Sequence, residues 1–283
     1  MPQIREIKRR IKSIKNTAKV THAMELVSAA KMKKSQESAL ASRPYTDTLN
    51  QILEEVRFKS QSRHALLSKK EAPNQMLVLL TTDRGLVGGL NMNLFRLIQT
   101  GEFKNIKFVV VGKKGTNFAS KSGSDLISSF VSDQHTPIEL ARTLTKIATD
   151  AYKAGQVSKV QVLYADFQST IKQVPTIAQI LPIELEPSQL PTSHNELPTD
   201  LLFEPSADKI LENLLPHYVL TKIYQTILEA KASEHSARMV AMKNATDAAG
   251  DLVDDLTLTY NQARQEAITT ELLDIVTAQS AFG

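Results

Sequence analysis

Residues that could do chemistry are sparse in this chain. The stretch with the best claim is DRGLVGGLN, Asp83 to Asn91. It lies between an apolar run, MLVLLTT (Met76–Thr82), and a helical pattern, NMNLFRLIQT (Asn91–Thr100). That is where a phosphate-binding loop would sit, since a helix N-terminus offers free N–H groups to an anion. The glycine spacing is neither G-x-x-x-x-G-K-[ST] nor G-x-G-x-x-G, so a nucleotide site has little support. Gly88 and Gly89 read better as a tight turn with positive φ and close helix–sheet packing. Asp83 and Arg84 are then left for an exposed contact.

The other chemistry-bearing residues form no constellation. The six histidines (His22, His64, His135, His194, His217, His235) show no paired metal-ligand spacing. Serine is abundant, but G-x-S-x-G is absent. Asp251, Asp254 and Asp255 fall at helical spacing and read as a solvated face. There is no cysteine, which excludes disulfides, thiolate metal sites and cysteine nucleophiles. The residues therefore point away from catalysis, and no metal or cofactor is expected.

Composition narrows the class further. Of the 283 residues, 42% are apolar, enough for a core, yet no tryptophan is present. The basic N-terminal residues are not followed by the apolar run of a secretory leader. No uncharged apolar stretch of about 18 residues could span a bilayer. A soluble, cytosolic protein is expected, one that could meet a membrane only through a partner. Charge is distributed unevenly: Met1–Lys34 holds ten Lys/Arg and two Glu, whereas Asp247–Gly283 holds seven Asp/Glu and the lone Arg264. Opposite ends of this kind imply either mutual pairing or two different partners.

The elements that must carry these residues differ between the ends and the middle. Ile4, Ile7, Ile11, Ile14 and Ala18 recur at 3-4-3-4 spacing, the seam of a coiled coil. A helix over residues 1–57 would be about 80 Å long at 1.5 Å per residue, with Pro44 expected to bend it or mark a change of register. In the tail, Met242, Ala245, Ala249, Leu252 and Leu256 repeat the spacing, and Val253, Tyr260, Ala263 and Ala267 continue it. Two such helices, 1–57 and 206–283, bury their seams most simply against each other, antiparallel. Between them, apolar runs at Met76–Thr82, Ile106–Gly112, Asp125–Val131, Lys159–Phe167 and Lys172–Pro182 read as strands. Helical patterns at Asn91–Thr100 and Pro137–Gly155 alternate with them. The expected fold is thus a long antiparallel coiled coil with an inserted Rossmann-like α/β domain, residues 75–205, built on a largely parallel sheet.

The basic N-terminal segment, Lys8–Gln36, has three readings. A nucleic-acid arm lacks aromatic residues for base stacking. A membrane-surface helix would want bulky apolar residues opposite its lysines, where this one carries Ala, Ser and Thr. Solvated charges flanking a coiled-coil seam is the third reading, and the residues favour it. An RNA-binding or adaptor coiled coil, and a nucleotide-binding α/β enzyme, stand as alternatives.

Over nearly its whole length the chain resembles the gamma subunit of F-type ATP synthase, in its bacterial form. The resemblance rests on IKRRIKSIKNTAKVTHAMELVSAAKMKKSQ and SRPY near the N-terminus, and on TTDRGLVGGLNMNLF in the middle. At the C-terminus it rests on SEHSARMVAMKNATDAAGDLVDDLTLTYNQARQEAITTELLDIV. It implies a non-catalytic rotor with no cofactor. The coiled coil would turn within a hexamer of alpha and beta subunits, while the foot rests on the epsilon subunit and the membrane c-ring. Nucleic acid would not be a partner, and membrane association at the cytoplasmic face of the cell's inner (plasma) membrane would come only through the complex.

By the same resemblance, Arg264, Gln265 and Thr269 match residues that hydrogen-bond a beta-subunit loop, and Arg238 is implicated with them. Arg84 matches a position that meets an acidic beta-subunit lever, with Lys19 and Met24 facing the same levers. Phe203 and Glu204 match foot positions on the c-ring. Val87 stands where many relatives carry cysteine, and the final TAQSAFG departs from the usual ending. The cysteine-bearing insertion of the chloroplast form is absent.

Overall fold

In the computed structural model, residues 2–59, 64–101, 105–123, 125–184, 204 and 206–282 are described. Phe203, expected in the foot, lies outside them. The elements in chain order are α1 (Pro2–Lys59), β1 (Gln75–Leu80), α2 (Leu90–Thr100), β2 (Ile106–Val111) and α3 (Lys113–Lys121), then β3 (Asp125–Phe130), α4 (Pro137–Lys153), β4 (Lys159–Phe167), β5 (Gln173–Leu181) and α5 (Ala207–Phe282). The chain divides into two compact units, a helical one of Met1–Ala29 with Arg238–Gly283 and a sheet unit of Ala30–Ala237. The long helices contribute to both.

The sheet unit is built on strands in the order β3-β2-β1-β4-β5. The first four are parallel, and β5 returns antiparallel to β4 as a hairpin. Strands covered on both faces can be apolar throughout rather than alternating, and β1 (QMLVLL) and β2 (IKFVVV) read that way. One face packs against α4 and the sheet-unit parts of α1 and α5. Leu49, Leu53, Leu144, Tyr152, Leu215 and Ile223 lie there against Met76, Val78, Val160 and Val162. The other face packs Leu77, Leu79, Phe108 and Val110 under Leu94 and Ala119. Phe95 of α2 and Phe118 of α3 stack 4.2 Å apart over it.

Local chemistry fixes the ends of α4. Thr136 and Glu139 form a reciprocal capping box, with Pro137 following the cap. Accepting these hydrogen bonds holds the Glu139 carboxyl below its ordinary pKa. At the other end Lys70 Nζ donates to the carbonyls of Tyr152 and Lys153, 2.8 Å each, so a cation meets the negative end of the helix.

The sequence reading missed α3. Its segment, KKGTNFASK, is polar and contains a glycine, and it buries only Gly115 and Ala119. The glycines also behave differently from expectation. Gly88 does have positive φ (56°), but a Cβ there would meet open space, and Gly89 has φ −84°. Close approach instead occurs at Gly112 and Gly115, where an added Cβ would run into Thr81. Gly112 also has φ +98°.

The helical unit pairs the start of α1 with the end of α5. Thr21 and Thr246 share a 2.8 Å hydrogen bond between their hydroxyls. Ile4, Ile7, Ile11, Ile14 and Ala18 are half-buried while their neighbours are exposed, as the seam requires. On α5 the half-buried line runs through Ala245, Ala249, Val253, Leu256, Tyr260, Ala263 and Ala267. Leu252, expected in the seam, points outward and is 50% exposed. It sits one position from Val253, which takes the seam place that a 3-4 spacing from Ala249 and Leu256 demands.

Helix α1 runs through Pro44 without a break. Within the sheet unit, Ser42 bonds to Gln225 just before the proline. Tyr45 just after it bonds to His217, an offset the long tyrosine side chain spans. None of the helices among the described residues is long and apolar enough to cross a membrane.

Candidate partner-binding sites

The turn after β1 is held from three directions. Asn91, in the first turn of α2, donates to Thr82 Oγ1 at 2.8 Å and accepts from the Thr82 N–H. Asp83 accepts from the backbone N–H of Lys113 at 3.1 Å and of Asp133 at 2.8 Å. Its carboxylate therefore ties the β1–α2 loop to the loops after β2 and β3. Expected as part of an exposed contact, Asp83 is a structural tie instead. Arg84 does stay exposed, and its Nε lies 3.6 Å from Asp133. Exposure at this level makes that pair worth little to stability, so the guanidinium can be taken by a stronger acceptor.

The carboxyl ends of β1 and β4 flank the point where strand order reverses, the usual ligand crevice of such sheets. Here Ile227, Ala230, Lys231 and Glu234 of α5 close over Thr81, Thr82 and Ser132. The cavity left, about 20 Å³, holds one water at most. A nucleotide does not fit there. Among the described residues no group of His, Asp and Glu is arranged to hold a metal ion.

In the helical unit, Lys19, Arg264, Gln265 and Thr269 are exposed, and Met24 and Arg238 are half-buried. Gln265 and Thr269 are one turn apart and share a face. With Gln262, Glu266 and Thr270 they line a shallow groove along α5. The Thr269 hydroxyl donates to the Gln265 carbonyl at 2.9 Å, leaving its lone pairs free to accept. Arg264 projects about 100° around the helix from Gln265. The structure thus brings Gln265 and Thr269 together and sets Arg264 beside them on an adjoining face. Glu204 is exposed.

The opposite charges of the two ends do not neutralise each other. Among the described residues, the ion pairs within the helical unit are Arg10–Glu6 and His22–Glu25, both inside α1. The seven tail carboxylates make none. Beyond Ala267 every described side chain of α5 through Gln279 is exposed, including Leu272, Leu273, Ile275 and Val276 at 58–61%. Mutual pairing, one of the two expectations from charge, has no ion pair behind it among the described residues. Two further exposed aliphatics were missed, Leu86 in the β1–α2 loop and Ile171 at the β4–β5 tip, 58% and 84% exposed. Sequence offers no signal for a lone outward aliphatic residue.

These features define a class, a chain that combines paired long helices with an α/β unit. Solved structures share the fold. A chain of the Euglena gracilis mitochondrial ATP synthase (OSCP/F1/c-ring, rotational state 3) matches with TM-score 0.72 at 20% identity, covering 99% of this chain and 95% of that one. One from the central stalk and c-ring of the Tetrahymena thermophila enzyme matches with TM-score 0.59 at 22% identity, covering 80% and 99%.

The family model described as ATP synthase matches residues 3–282. The ATP synthase gamma chain of Opitutus terrae is 42% identical over 292 aligned positions, covering 99% of both chains. That of Herpetosiphon aurantiacus is 40% identical over 298, covering 100% of this chain and 99% of the other. The chain belongs to the ATP synthase gamma chain family, and as such is a non-catalytic subunit and a peripheral part of a membrane-bound complex.

Proposed function

We propose that the chain is the central rotor of an ATP synthase at the cytoplasmic face of the plasma membrane. It carries torque between a membrane c-ring and a hexamer of alpha and beta subunits. The epsilon subunit binds beside its foot. The arms are residues 1–57 and 206–283, and the inserted domain is 75–205.

The observation that carries this reading is the end of α5. Past Ala267 every described side chain of the helix through Gln279 is exposed, and aliphatic residues alternate with Thr, Glu and Asp. Apolar side chains at this density ask for a surrounding surface. Small and short polar residues between them keep each contact weak enough to break as the rotor turns. Rotation drives the beta subunits only if successive subunits meet different faces, because a partner shifts an equilibrium only through differential contacts. The basic α1 and acidic α5 supply such a difference.

On this reading Arg264 donates charge-assisted hydrogen bonds to a beta-subunit loop, with Gln265 and Thr269 on the adjoining face and Arg238 in support. Lys19 and Met24, and separately Arg84, meet the acidic levers. Phe203 and Glu204 contact the c-ring. The test is Arg264→Ala in the assembled complex. ATP-driven ion pumping is expected to fall about tenfold, the scale of one charge-assisted contact, while the isolated chain keeps its circular dichroism. Full pumping with this variant would remove Arg264 from the contact.

A further inference from the structure

Residues 64–70, between α1 and β1, form a strap across the sheet unit. Its buried anchor is Leu66, at 0% exposure in one apolar cluster with Leu53 and Val56 of α1, Tyr152 of α4, Ile183 and Leu215 of α5. Hydrogen bonds hold the backbone on two sides. The Leu66 carbonyl accepts from the N–H of Ile183, just past β5, at 3.0 Å. The Tyr152 hydroxyl donates to the Ser68 carbonyl at 2.7 Å. Lys70 Nζ bonds the last carbonyls of α4 and lies 5.4 Å from the centre of the Tyr152 ring. The strap thus joins α1, α4, α5 and the end of β5.

Both the backbone and the ring of His64 organise this strap. The His64 carbonyl accepts from the Leu67 N–H at 3.0 Å and from the Ser68 hydroxyl at 3.1 Å. Its Nδ1 accepts the N–H of Leu66 at 3.2 Å. Acceptance at Nδ1 requires a neutral ring with the proton on Nε2. Protonation makes Nδ1 a donor as well, so two N–H groups would face each other and the bond is lost.

The charged side chains acting on the ring from the packed helices are Lys153 of α4 and Glu212 of α5. Burial lowers the pKa of His64 from 6.5, Lys153 adds to that, and Glu212 opposes them. A ring held below its ordinary proton affinity in the closed strap recovers that affinity when the strap opens. The closed form therefore has its full advantage above about pH 6.5 and loses it as pH falls through that range.

We infer that His64 is an acid-sensitive latch on this strap. Neutral, it seats Leu66 in the core and holds α1 against α4 and the end of β5. Charged, it lets the strap open locally while the sheet stays folded. Histidine is the side chain whose ordinary charge change falls within the range of cellular pH. The latch needs no other subunit, so it stands apart from the contacts proposed above.

Amide exchange of the full-length chain between pH 7 and 5, expressed as protection relative to the intrinsic rate, tests it. The Leu66 amide should lose about five- to tenfold of its protection, the scale of one hydrogen bond. The amide of Val78, inside β1, should not change. His64→Asn offers an acceptor oxygen that does not titrate in this range, so its strap should show no dependence on pH. The His64 ring, followed by NMR in the wild-type chain, should titrate with the midpoint at which Leu66 loses protection. Flat protection of Leu66 in the wild type overturns the latch. So does an equal loss in His64→Asn, or a ring midpoint that differs from that of the strap.

Discussion

The sheet unit and the helical unit are made from the same aliphatic residues and bury them to opposite extents. Between Ala30 and Ala237 two faces of a sheet enclose leucines, valines and isoleucines at or near zero exposure. In the helical unit Ser28 and Met242 are the buried residues among those described, and the seam is half-buried. A helix pair with so narrow a seam gains little from water exclusion, since the gain follows the apolar area removed. The sheet unit is a body that holds itself together. The helical unit is a part whose remaining apolar surface is left for partners.

Substitutions can break or sharpen that contrast. The largest effect is expected from Gly112→Ala in the sheet unit. The new methyl meets the Thr81 carbonyl and must adopt positive φ, so urea unfolding should report a loss of about 3 kcal/mol or more. Leu53→Ala, at a side chain with 0% exposure, should cost about 2–5 kcal/mol. The same change at half-buried Leu256 should cost about 1 kcal/mol. Equal losses at the two leucines would erase the distinction.

Gly250→Ala goes the other way. Nothing lies within 4 Å of the added Cβ, and alanine in an exposed helix is favoured by about 1 kcal/mol. Slower amide exchange around position 250 should show it.

The smallest effect concerns pH. His64 accepts a hydrogen bond at Nδ1 from the Leu66 N–H, and burial, with Lys153 nearby, lowers its pKa from 6.5. The folded state therefore binds fewer protons than the unfolded chain below about pH 6.5, and stability falls as pH drops through that range. His64→Asn should flatten the Tm profile between about pH 7 and 5.

The sequence made the regular parts legible. Continuous apolar runs marked β1 and β2, and the isoleucine spacing marked the seam of α1. Legibility ended where tertiary contact decides. α3 is polar and held by glycine contacts. Leu252 and Val253 both fit a loose heptad, and only pairing chooses between them. Asp83 bonds to N–H groups thirty and fifty positions further along the chain, a link no local pattern encodes. Of the contact residues named through family resemblance, Lys19, Arg84, Glu204, Arg264, Gln265 and Thr269 are exposed, Met24 and Arg238 are half-buried, and Phe203 is outside the described residues. The positive φ of Leu86 and its exposure leave no mark in sequence.

Amide hydrogen exchange of the full-length chain, alone and within the assembled hexamer, tests the division most directly. Alone, the strands of the sheet unit should be strongly protected, while α1 before Ala29 and α5 after Arg238 exchange quickly. On assembly the latter should slow about a hundredfold or more. Helical arms as protected as the sheet in the free chain, or unchanged by the hexamer, would contradict the account.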